Sequence, residues 1–332
     1  MWSWIKRIFF VALCSTLLAV AGLGWYAFGP LKLRSDPVDF SIKPGSGLNS
    51  ATRQIVESGV DMNAWQFALL GRALGKAGAI KAGSYEVGRG ITPLALLDKL
   101  TAGEVTQAEI VFIEGWTFRQ VRAALDADSG VRHDSATLGD AQIMARLGAA
   151  GRNPEGLFFP DTYLFGNGAS DLDILRRAYQ AMDRQLLAAW QQRAPGLPYR
   201  SPYEALIMAS VIEKETGQAT DRALIGGVFV NRLRIGMMLQ TDPSVIYGLG
   251  EKFDGNLRKK DLLADTPHNT YTRSGLPPTP IAMPGRASLQ AALNPAKTTA
   301  LYFVARGDGS SQFSRTLAEH ERAVSKYQRG GR

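Results

Sequence analysis

Residues 201–217 have the sequence SPYEALIMASVIEKETG, and this stretch decides the fold of the larger part of the chain. Ser201 and the proline after it are typical of a helix N-cap and first helical position, and Glu204 stands where a capping box places an acidic side chain. The apolar residues that follow predict a buried helix over residues 203–216. A second, amphipathic helix is predicted over residues 223–233. We therefore expect a core that is built around the first of these helices.

The predicted buried helix ends in two glutamates, Glu213 and Glu215. Because an α-helix has about 3.6 residues per turn, the two side chains point roughly 200° apart and are not expected to share one site. A carboxyl group beside apolar surface tends to have a raised pKa, which a general acid needs near neutral pH. Periodicity does not choose between them, and two solvated glutamates flanking Lys214 would give the same pattern.

Residues 239–302 are rich in glycine and proline, and are predicted to form loops around a substrate groove. Amide, hydroxyl, carboxyl and aromatic side chains, which suit a sugar polymer, are grouped there. The candidate substrate-binding residues are Gln240, Thr241, Asp242, Tyr247, Asn269 and Tyr271. Turn capping and core packing are the competing interpretations for these side chains.

Two further segments precede the buried helix in the same predicted domain. Residues 155–163, EGLFFPDTY, are dense in aromatic side chains. Packing of Phe158 and Phe159 in the core is at least as good an interpretation of them as contact with a sugar. Helices are predicted over residues 118–127 and 171–192.

A small α+β module is predicted closer to the N-terminus. Its elements are a strand, two helices, a strand and a third helix, over residues 38–43, 48–58, 65–74, 83–87 and 93–101. Residues 29–37 before it lack periodicity and predict a linker. The next domain is predicted to begin near Val111, where an apolar run ends.

Residues 8–28 contain no charged side chain and are long enough to cross the hydrocarbon of a membrane as a helix. Residues 1–7 are then a short cytoplasmic tail, and the large remainder lies on the other side of the membrane. A cleaved signal peptide is the competing interpretation, because residues 19–21 (AVA) have the small-x-small form of a cleavage site. Both interpretations predict export.

Composition narrows the classes of function. The net charge of +8 favours anionic partners, but the basic residues are scattered, so no nucleic-acid partner is predicted. A single cysteine, Cys14, and three histidines far apart in the chain predict no metal site. There is no Walker A, G-x-G-x-x-G or G-x-S-x-G motif. We therefore expect neither a nucleotide cofactor nor serine acyl transfer.

Several longer motifs occur in a characteristic order. They are E-G at 114–115, F-P-D-T-Y at 159–163, A-S-V-I-E-K-E-T at 209–216, V-N-R-L at 230–233, L-Q-T-D-P at 239–243, G-L-P-P at 275–278 and N-P-A at 294–296. In these motifs the chain resembles the endolytic murein transglycosylases, a family of YceG-like membrane proteins, over nearly its whole length. The order of so many motifs is hard to obtain by chance.

The resemblance implies a fold and a catalytic residue. The implied fold is α+β, with a single-pass transmembrane helix at 8–28, a LysM-like module at 38–110 and a larger, mixed α+β catalytic domain at 111–332. The catalytic glutamate of the family lies in the E-K-E-T motif, which implies Glu215, with Glu213 as the alternative. No metal and no cofactor are implied.

The implied reaction cuts the bond between N-acetylmuramic acid and N-acetylglucosamine inside a glycan strand. It leaves a 1,6-anhydro end without using water, so one carboxyl group suffices. The resemblance also implies that the cut ends the growth of nascent strands, and that the partners are peptidoglycan, the cytoplasmic membrane and the penicillin-binding proteins of the elongation machinery.

Two alternatives stay open. A hydrolytic muramidase needs a second carboxylate to activate water, for which Asp161 and Asp242 are the candidates. The other alternative is a scaffold that binds the wall and recruits synthases without catalysis of its own.

Overall fold

The computed structural model describes residues 2–328. The helices are α1 (Trp2–Phe28), α2 (Leu48–Glu57), α3 (Ala64–Ala73), α4 (Pro93–Ala102), α5 (Phe118–Ala127), α6 (Asp140–Arg146), α7 (Asp171–Gln191), α8 (Pro202–Glu215), α9 (Ala219–Arg234), α10 (Asp242–Leu249), α11 (Lys259–Leu263), α12 (Arg286–Leu293) and α13 (Leu317–Gln328). A 3-10 turn, Gly250–Lys252, follows α10.

The strands are short and pair two by two. They are β1 (Lys32–Leu33), β2 (Val38–Ile42), β3 (Val60–Asp61), β4 (Gly83–Val87), β5 (Gln107–Val111), β6 (Val131–Arg132), β7 (Thr162–Gly166), β8 (Ala169–Ser170), β9 (Tyr302–Ala305) and β10 (Ser311–Ser314). The pairs are β1 with β3, β2 with β4, β5 with β7, β6 with β8 and β9 with β10. The prediction of a mixed α+β chain is confirmed.

The chain forms two compact units. The first comprises Met1–Glu109, Gly130–Arg132 and Leu164–Ala169, and the second comprises Ile110–Ser129, His133–Tyr163 and Ser170–Arg332. Each has its own buried apolar core, because every amphipathic element must cover its apolar face.

The first unit contains the predicted strand, helix, helix, strand pattern. In β2 the side chains alternate between buried and exposed, and the strand pairs antiparallel with β4, Phe40 opposite Tyr85. These two rings stack at 5.7 Å between centroids. Helices α2, α3 and α4 pack their apolar faces on the same core, where Phe67 and Leu97 are fully buried. The predicted α+β module is therefore present.

Helix α1 belongs to the first unit and is apolar along most of its length. Its stretch Phe9–Phe28 has the length and composition of a helix that crosses a membrane, which a signal sequence shares. The helix begins at Trp2, so it includes most of the predicted tail at residues 1–7. Most of its described side chains are exposed, but at its C-terminal end Ala27 is buried in the apolar core of the unit.

Residues 29–37 are more ordered than the predicted linker. This segment contains β1, which pairs with β3. Leu31 and Leu33 of the segment pack against the apolar core of the first unit. The linker prediction is wrong at this point, because a two-residue strand is too short to leave a period-two pattern in the sequence.

In the second unit α8 is the central helix, and every side chain from Ala205 to Ile212 is buried. It packs against α7, α9, α10 and α12. Ser201 caps the helix as predicted, since its hydroxyl accepts a hydrogen bond from the Glu204 amide. The capping box is incomplete, because the Glu204 carboxylate accepts from the amide of Arg200 instead of that of Ser201. The cap alone fixes where α8 begins.

The region predicted as loops contains three helices, α10, α11 and α12, which the sequence prediction missed. They have only eight, five and eight residues, too few for a clear 3.6-residue period. Helix α9 also begins four residues earlier than predicted, at Ala219. It approaches α12 closely at Gly226, where an added Cβ would lie 2.5 Å from the Ala291 carbonyl oxygen.

The aromatic segment at 155–163 packs into the core of the second unit. Phe158 is fully buried and stacks on Phe118 of α5 at 4.9 Å between centroids, and Phe159 is 7% exposed. The core-packing interpretation of these rings is confirmed.

Candidate active site

Glu215 is the last residue of α8, and its side chain is half-buried. Burial raises the pKa of Glu215 to about 7, because the charged form loses its hydration. The C-terminal end of a helix carries partial negative charge, which disfavours a carboxylate further. A carboxyl group at this position is therefore able both to donate and to accept a proton near neutral pH.

Three side chains adjust the charge of the Glu215 carboxyl. The hydroxyl of Thr241 and the positive charge of Arg232 lower its pKa, whereas the negative charge of Asp242 raises it. Thr241 is fully buried, and its Oγ1 makes no hydrogen bond of standard geometry within residues 2–328. This hydroxyl therefore stays available to the carboxyl or to a ligand bound beside it.

The turn before α10 places Thr241. Thr241 is the N-cap residue of α10, but its side chain makes no capping hydrogen bond, and its amide donates to Thr270 Oγ1 at 3.0 Å. Gln240 has φ +49°, a left-handed conformation that costs energy for a residue other than glycine. Its side chain is exposed. Strained backbone of this kind is concentrated at functional sites.

Arg232 of α9 is 7% exposed and is held by main-chain carbonyls. Its Nε donates to Leu301 O at 2.7 Å and its Nη1 to Leu239 O at 2.6 Å. The guanidinium group lies over the Tyr302 ring, 5.4 Å from the centroid. Arg232 is thus a fixed positive charge that stabilises the carboxylate form of Glu215.

Asp242 and Tyr271 form a pair beside Glu215. The Tyr271 hydroxyl donates to Asp242 Oδ1 at 2.6 Å. Burial, followed by the bond to Asp242, raises the pKa of Tyr271 well above its usual range, and the charge of Glu215 acts in the same direction. Tyr271 therefore stays a neutral hydrogen-bonding group next to the carboxyl.

Asn269 is completely buried and holds the loop that carries Tyr271. Its Oδ1 accepts from the Tyr271 amide at 2.8 Å. Its Nδ2 faces the carbonyl oxygens of Asp261, Leu262 and Ala264. The amide has no hydrogen left for a ligand, so the structure gives Asn269 a supporting role in place of the contact with substrate that we predicted.

Glu213, the alternative to Glu215, is used elsewhere. Its Oε2 accepts from the amide of Gly285 at 2.9 Å, and Gly285 is the N-cap residue of α12. An added Cβ at Gly285 would lie 1.7 Å from Glu114 Oε1, so only glycine fits between these carboxylates. The two glutamates of the motif thus have different surroundings, as their angular separation predicted.

Tyr247 lies apart from Glu215, in a cleft of about 1340 Å³ that α10, the N-terminus of α5 and the segment 151–155 line. Its hydroxyl donates to Glu155 Oε2 at 3.1 Å. Glu155 is 5% exposed, and its burial raises its pKa to about 7. Lys214 lines this cleft, whereas Glu215 does not. The structure therefore places a second carboxyl group of raised pKa in a large cleft that Glu215 does not line.

Of the predicted site residues, three act directly on the Glu215 carboxyl or are acted on by it: Thr241, Asp242 and Tyr271. Gln240 immediately precedes Thr241 in the chain. Within residues 2–328 no three His, Cys, Asp or Glu side chains are grouped closely enough to hold a metal ion.

Comparison with known proteins gives the family. The model of the YceG-like family matches residues 40–326. The chain belongs to the YceG-like family.

Similar proteins come from three bacteria. An endolytic murein transglycosylase of Bacillus subtilis is 32% identical over 307 residues, which cover 87% of this chain and 84% of that protein. Endolytic murein transglycosylases from two strains of Streptococcus pneumoniae are 27% identical over 282 residues, covering 75% of this chain but only 51% of those proteins. A crystal structure of a YceG-like protein from Listeria monocytogenes is 30% identical with a TM-score of 0.55, and the match covers 87% of this chain and 99% of that one.

For this member of the YceG-like family, sequence analysis missed two charged site residues. Arg232 lies in the V-N-R-L motif, where it had no role assigned, and only its position over Tyr302 and near Glu215 reveals one. Glu155 begins the aromatic segment at 155–163, for which only the aromatic rings were interpreted. The feature of the sequence that could have indicated Glu155 is an acidic residue at the edge of an apolar run, where its pKa tends to be raised.

Proposed function

We propose that this member of the YceG-like family is an endolytic murein transglycosylase whose general acid and base is Glu215. The curated relatives carry that name, and lytic transglycosylase is the enzyme class that goes with it. The observation that supports Glu215 as the acid is its environment. Burial raises its pKa to about 7, while Thr241 and Arg232 stabilise the charged form that must exist halfway through the reaction.

In the proposed reaction, Glu215 donates its proton to the oxygen between N-acetylmuramic acid and N-acetylglucosamine, and the bond from the anomeric carbon to that oxygen breaks. The resulting carboxylate takes the proton from the 6-hydroxyl of the same muramoyl residue, whose oxygen bonds to the anomeric carbon. The products are a free 4-hydroxyl on N-acetylglucosamine and a 1,6-anhydro end. Glu215 regains its proton, and no water is consumed.

We assign substrate contacts to the groups beside the acid. The side chain of Gln240 and the hydroxyls of Thr241 and Tyr271 suit the hydroxyl and acetamido groups of the sugars, and Asp242 accepts from Tyr271 to hold its ring in place. We propose that Tyr247, at the neighbouring cleft, stacks on a sugar.

A hydrolytic muramidase is the second candidate, because Asp242 supplies another carboxylate next to Glu215. Asp161 is less suited to that role. It is exposed, its Oδ1 accepts from the Thr162 amide at 2.8 Å, and it exerts no charge effect on Glu215. The chemical nature of the new chain end separates a transglycosylase from a hydrolase.

We further propose a location and a set of partners. Helix α1 has the length and composition of an anchor in the cytoplasmic membrane, with the second unit outside the cytoplasm. The α+β pattern of the first unit supports a LysM-like module, and the net charge of +8 suits an anionic wall polymer. Cleavage inside nascent strands would end their elongation, which makes penicillin-binding proteins the expected neighbours.

The test is mass spectrometry of the fragments that the full-length protein in detergent releases from purified, uncross-linked murein strands. We expect anhydro-ended fragments from wild type and from Glu213→Gln, and none from Glu215→Gln. Reducing ends would make the protein a hydrolase. Equal activity in Glu215→Gln would remove Glu215 from the mechanism, and absence of products from a wild-type protein that binds strands would support the scaffold alternative.

A further inference from the structure

The cleft around Glu155 and Tyr247 takes no part in the proton transfers proposed for Glu215, but its size and lining are those of a binding site. Its volume of about 1340 Å³ exceeds that of a pocket for one small molecule, which is roughly 300 to 1,000 Å³. It is open to solvent along α10 and the segment 151–155, and both aromatic and charged side chains line it.

Tyr247 is held rigidly in this cleft. Its hydroxyl donates to Glu155 Oε2, and its ring makes an edge contact with His268 at 4.9 Å between centroids. Glu155 is itself fixed, because its Oε1 accepts from the amide of Phe118 at 3.0 Å at the start of α5. A half-buried ring that is fixed at its hydroxyl and at its edge offers its remaining surface to a ligand without loss of side-chain entropy.

Positively charged side chains line the cleft. Arg152 lies over the Tyr203 ring at the start of α8, 5.8 Å from the centroid, and Lys214 lies at the end of that helix. Neither has a carboxylate partner within residues 2–328, whereas Arg119, also at the cleft, is paired with Glu251. In the described part of the chain Arg152 donates only to the Tyr179 hydroxyl and Lys214 only to the Gly115 carbonyl oxygen, so both positive charges remain uncompensated by a carboxylate for an anionic group on a ligand.

The two cations that line the cleft lie near opposite ends of α8, because Arg152 covers the ring of Tyr203 and Lys214 is on the last turn. Tyr203 and Lys214 are eleven positions apart, which is about 16 Å at a rise of roughly 1.5 Å per residue. The cleft therefore extends beyond the space that one sugar occupies, and one of its lining residues, Lys214, immediately precedes Glu215 in the sequence. An elongated cleft of this kind suits a polymer that continues past the bond to be cut.

We propose that this cleft binds the sugars of the glycan strand on one side of the cleaved bond, with Tyr247 as the stacking residue and Glu155 as the residue that positions it. The carboxylates that murein strands carry on their stem peptides match Arg152 and Lys214. The proposal rests on the proposed function for the identity of the polymer. It adds a strand-binding site, and with it a dependence of binding on the length of the strand.

The test measures binding instead of cleavage. Full-length Glu215→Gln protein in detergent is titrated with β-1,4-linked N-acetylglucosamine oligomers of two, four and eight sugars, and with murein fragments of the same lengths. We expect affinity to rise with length. Adding Tyr247→Ala should lower the affinity for the eight-sugar oligomer by about three- to tenfold and leave the affinity for the two-sugar oligomer unchanged. Tyr327→Ala, on α13 and outside the cleft, is the matched control.

Glu155→Gln tests the positioning role. It should weaken binding of the long oligomer nearly as much as Tyr247→Ala, because an amide in place of the carboxyl disturbs the bond to the Tyr247 hydroxyl. Tyr247→Phe, which keeps the ring, should retain most of the affinity. If Glu155 only supported the fold, affinities for short and long oligomers would fall together with the melting temperature.

Arg152→Gln tests one of the positive charges that line the cleft. It should lower the affinity for long murein fragments and spare the uncharged N-acetylglucosamine oligomers. A dependence on length that survives both Tyr247→Ala and Glu155→Gln would overturn the proposal. That failure would leave the product analysis of Glu215→Gln untouched, and active Glu215→Gln protein would in turn leave the binding results standing.

Discussion

Glu155 is buried and Glu215 half-buried in the same unit, and loss of hydration raises the pKa of both carboxyl groups to about 7. Their surroundings differ. Both oxygens of Glu155 are occupied, Oε1 by the Phe118 amide and Oε2 by the Tyr247 hydroxyl. Glu215 has the negative charge of Asp242, the positive charge of Arg232 and the hydroxyl of Thr241 near it, and this hydroxyl makes no hydrogen bond of standard geometry within residues 2–328.

The difference shows that a raised pKa marks a buried carboxyl but does not by itself identify an acid catalyst. A carboxyl group that fixed donors hold on both oxygens is fitted to position other groups. A carboxyl group with a free face, near a positive charge and a free hydroxyl, is fitted to exchange a proton with a ligand.

The largest expected effect is on activity. Glu215→Gln should lower the rate of strand cleavage by about 10²- to 10⁴-fold, the range that loss of a general acid or base produces. Glu155→Gln should lower it by less than about tenfold, because that residue acts through Tyr247. Initial rates on uncross-linked murein at pH 6 measure both. Similar losses for the two variants would end the distinction.

The next effect is on the pH dependence of activity. Cleavage should fall as the pH rises above about 7, because Glu215 must begin protonated. Thr241→Val removes a group that lowers the pKa, so the falling limb should move to higher pH. Asp242→Asn removes one that raises it, so the limb should move to lower pH. Rate profiles from pH 5 to 9 give both shifts, and shifts of one sign for both variants would contradict the assignment.

A smaller effect concerns stability. Folding raises the pKa of Glu215 from 4.5 to about 7, so the folded state binds more protons than the unfolded state in this window, and stability falls as the pH rises through it. Glu215→Gln should therefore increase the free energy of unfolding by about 1 to 3 kcal/mol at pH 8 and change it little at pH 4. Denaturation at both pH values measures this, and equal changes would show that Glu215 is not desolvated.

The smallest effect belongs to Glu213. Glu213→Ala removes the acceptor of the Gly285 amide and should cost about 1 to 2 kcal/mol of stability. Activity per folded molecule should stay near that of wild type. Glu213→Gln retains an acceptor oxygen and should recover most of the lost stability. A loss of activity in the Gln variant would return Glu213 to the list of candidate acids.

The sequence predicted the helices well where their periodic pattern is long. The predicted helix at 203–216 is α8, and the predicted helix at 171–192 is α7. It failed where an element is short, as at β1 and α10, because two to eight residues do not establish a period. Within the site, the E-K-E-T motif indicated Glu215. The roles of Arg232 and Glu155 could not be predicted from the sequence, because they depend on residues that are distant in the chain.

By itself the sequence determined the apolar N-terminal helix, the α+β composition and the pair of glutamates at the end of α8, because all of these depend on neighbours within a few positions. Only the tertiary structure separated the two glutamates. It placed the N-terminus of α12 against Glu213 and the turn with Thr241 against Glu215. A pKa is set by burial and by the charges a few ångströms away, which come from parts of the chain that lie far apart in sequence.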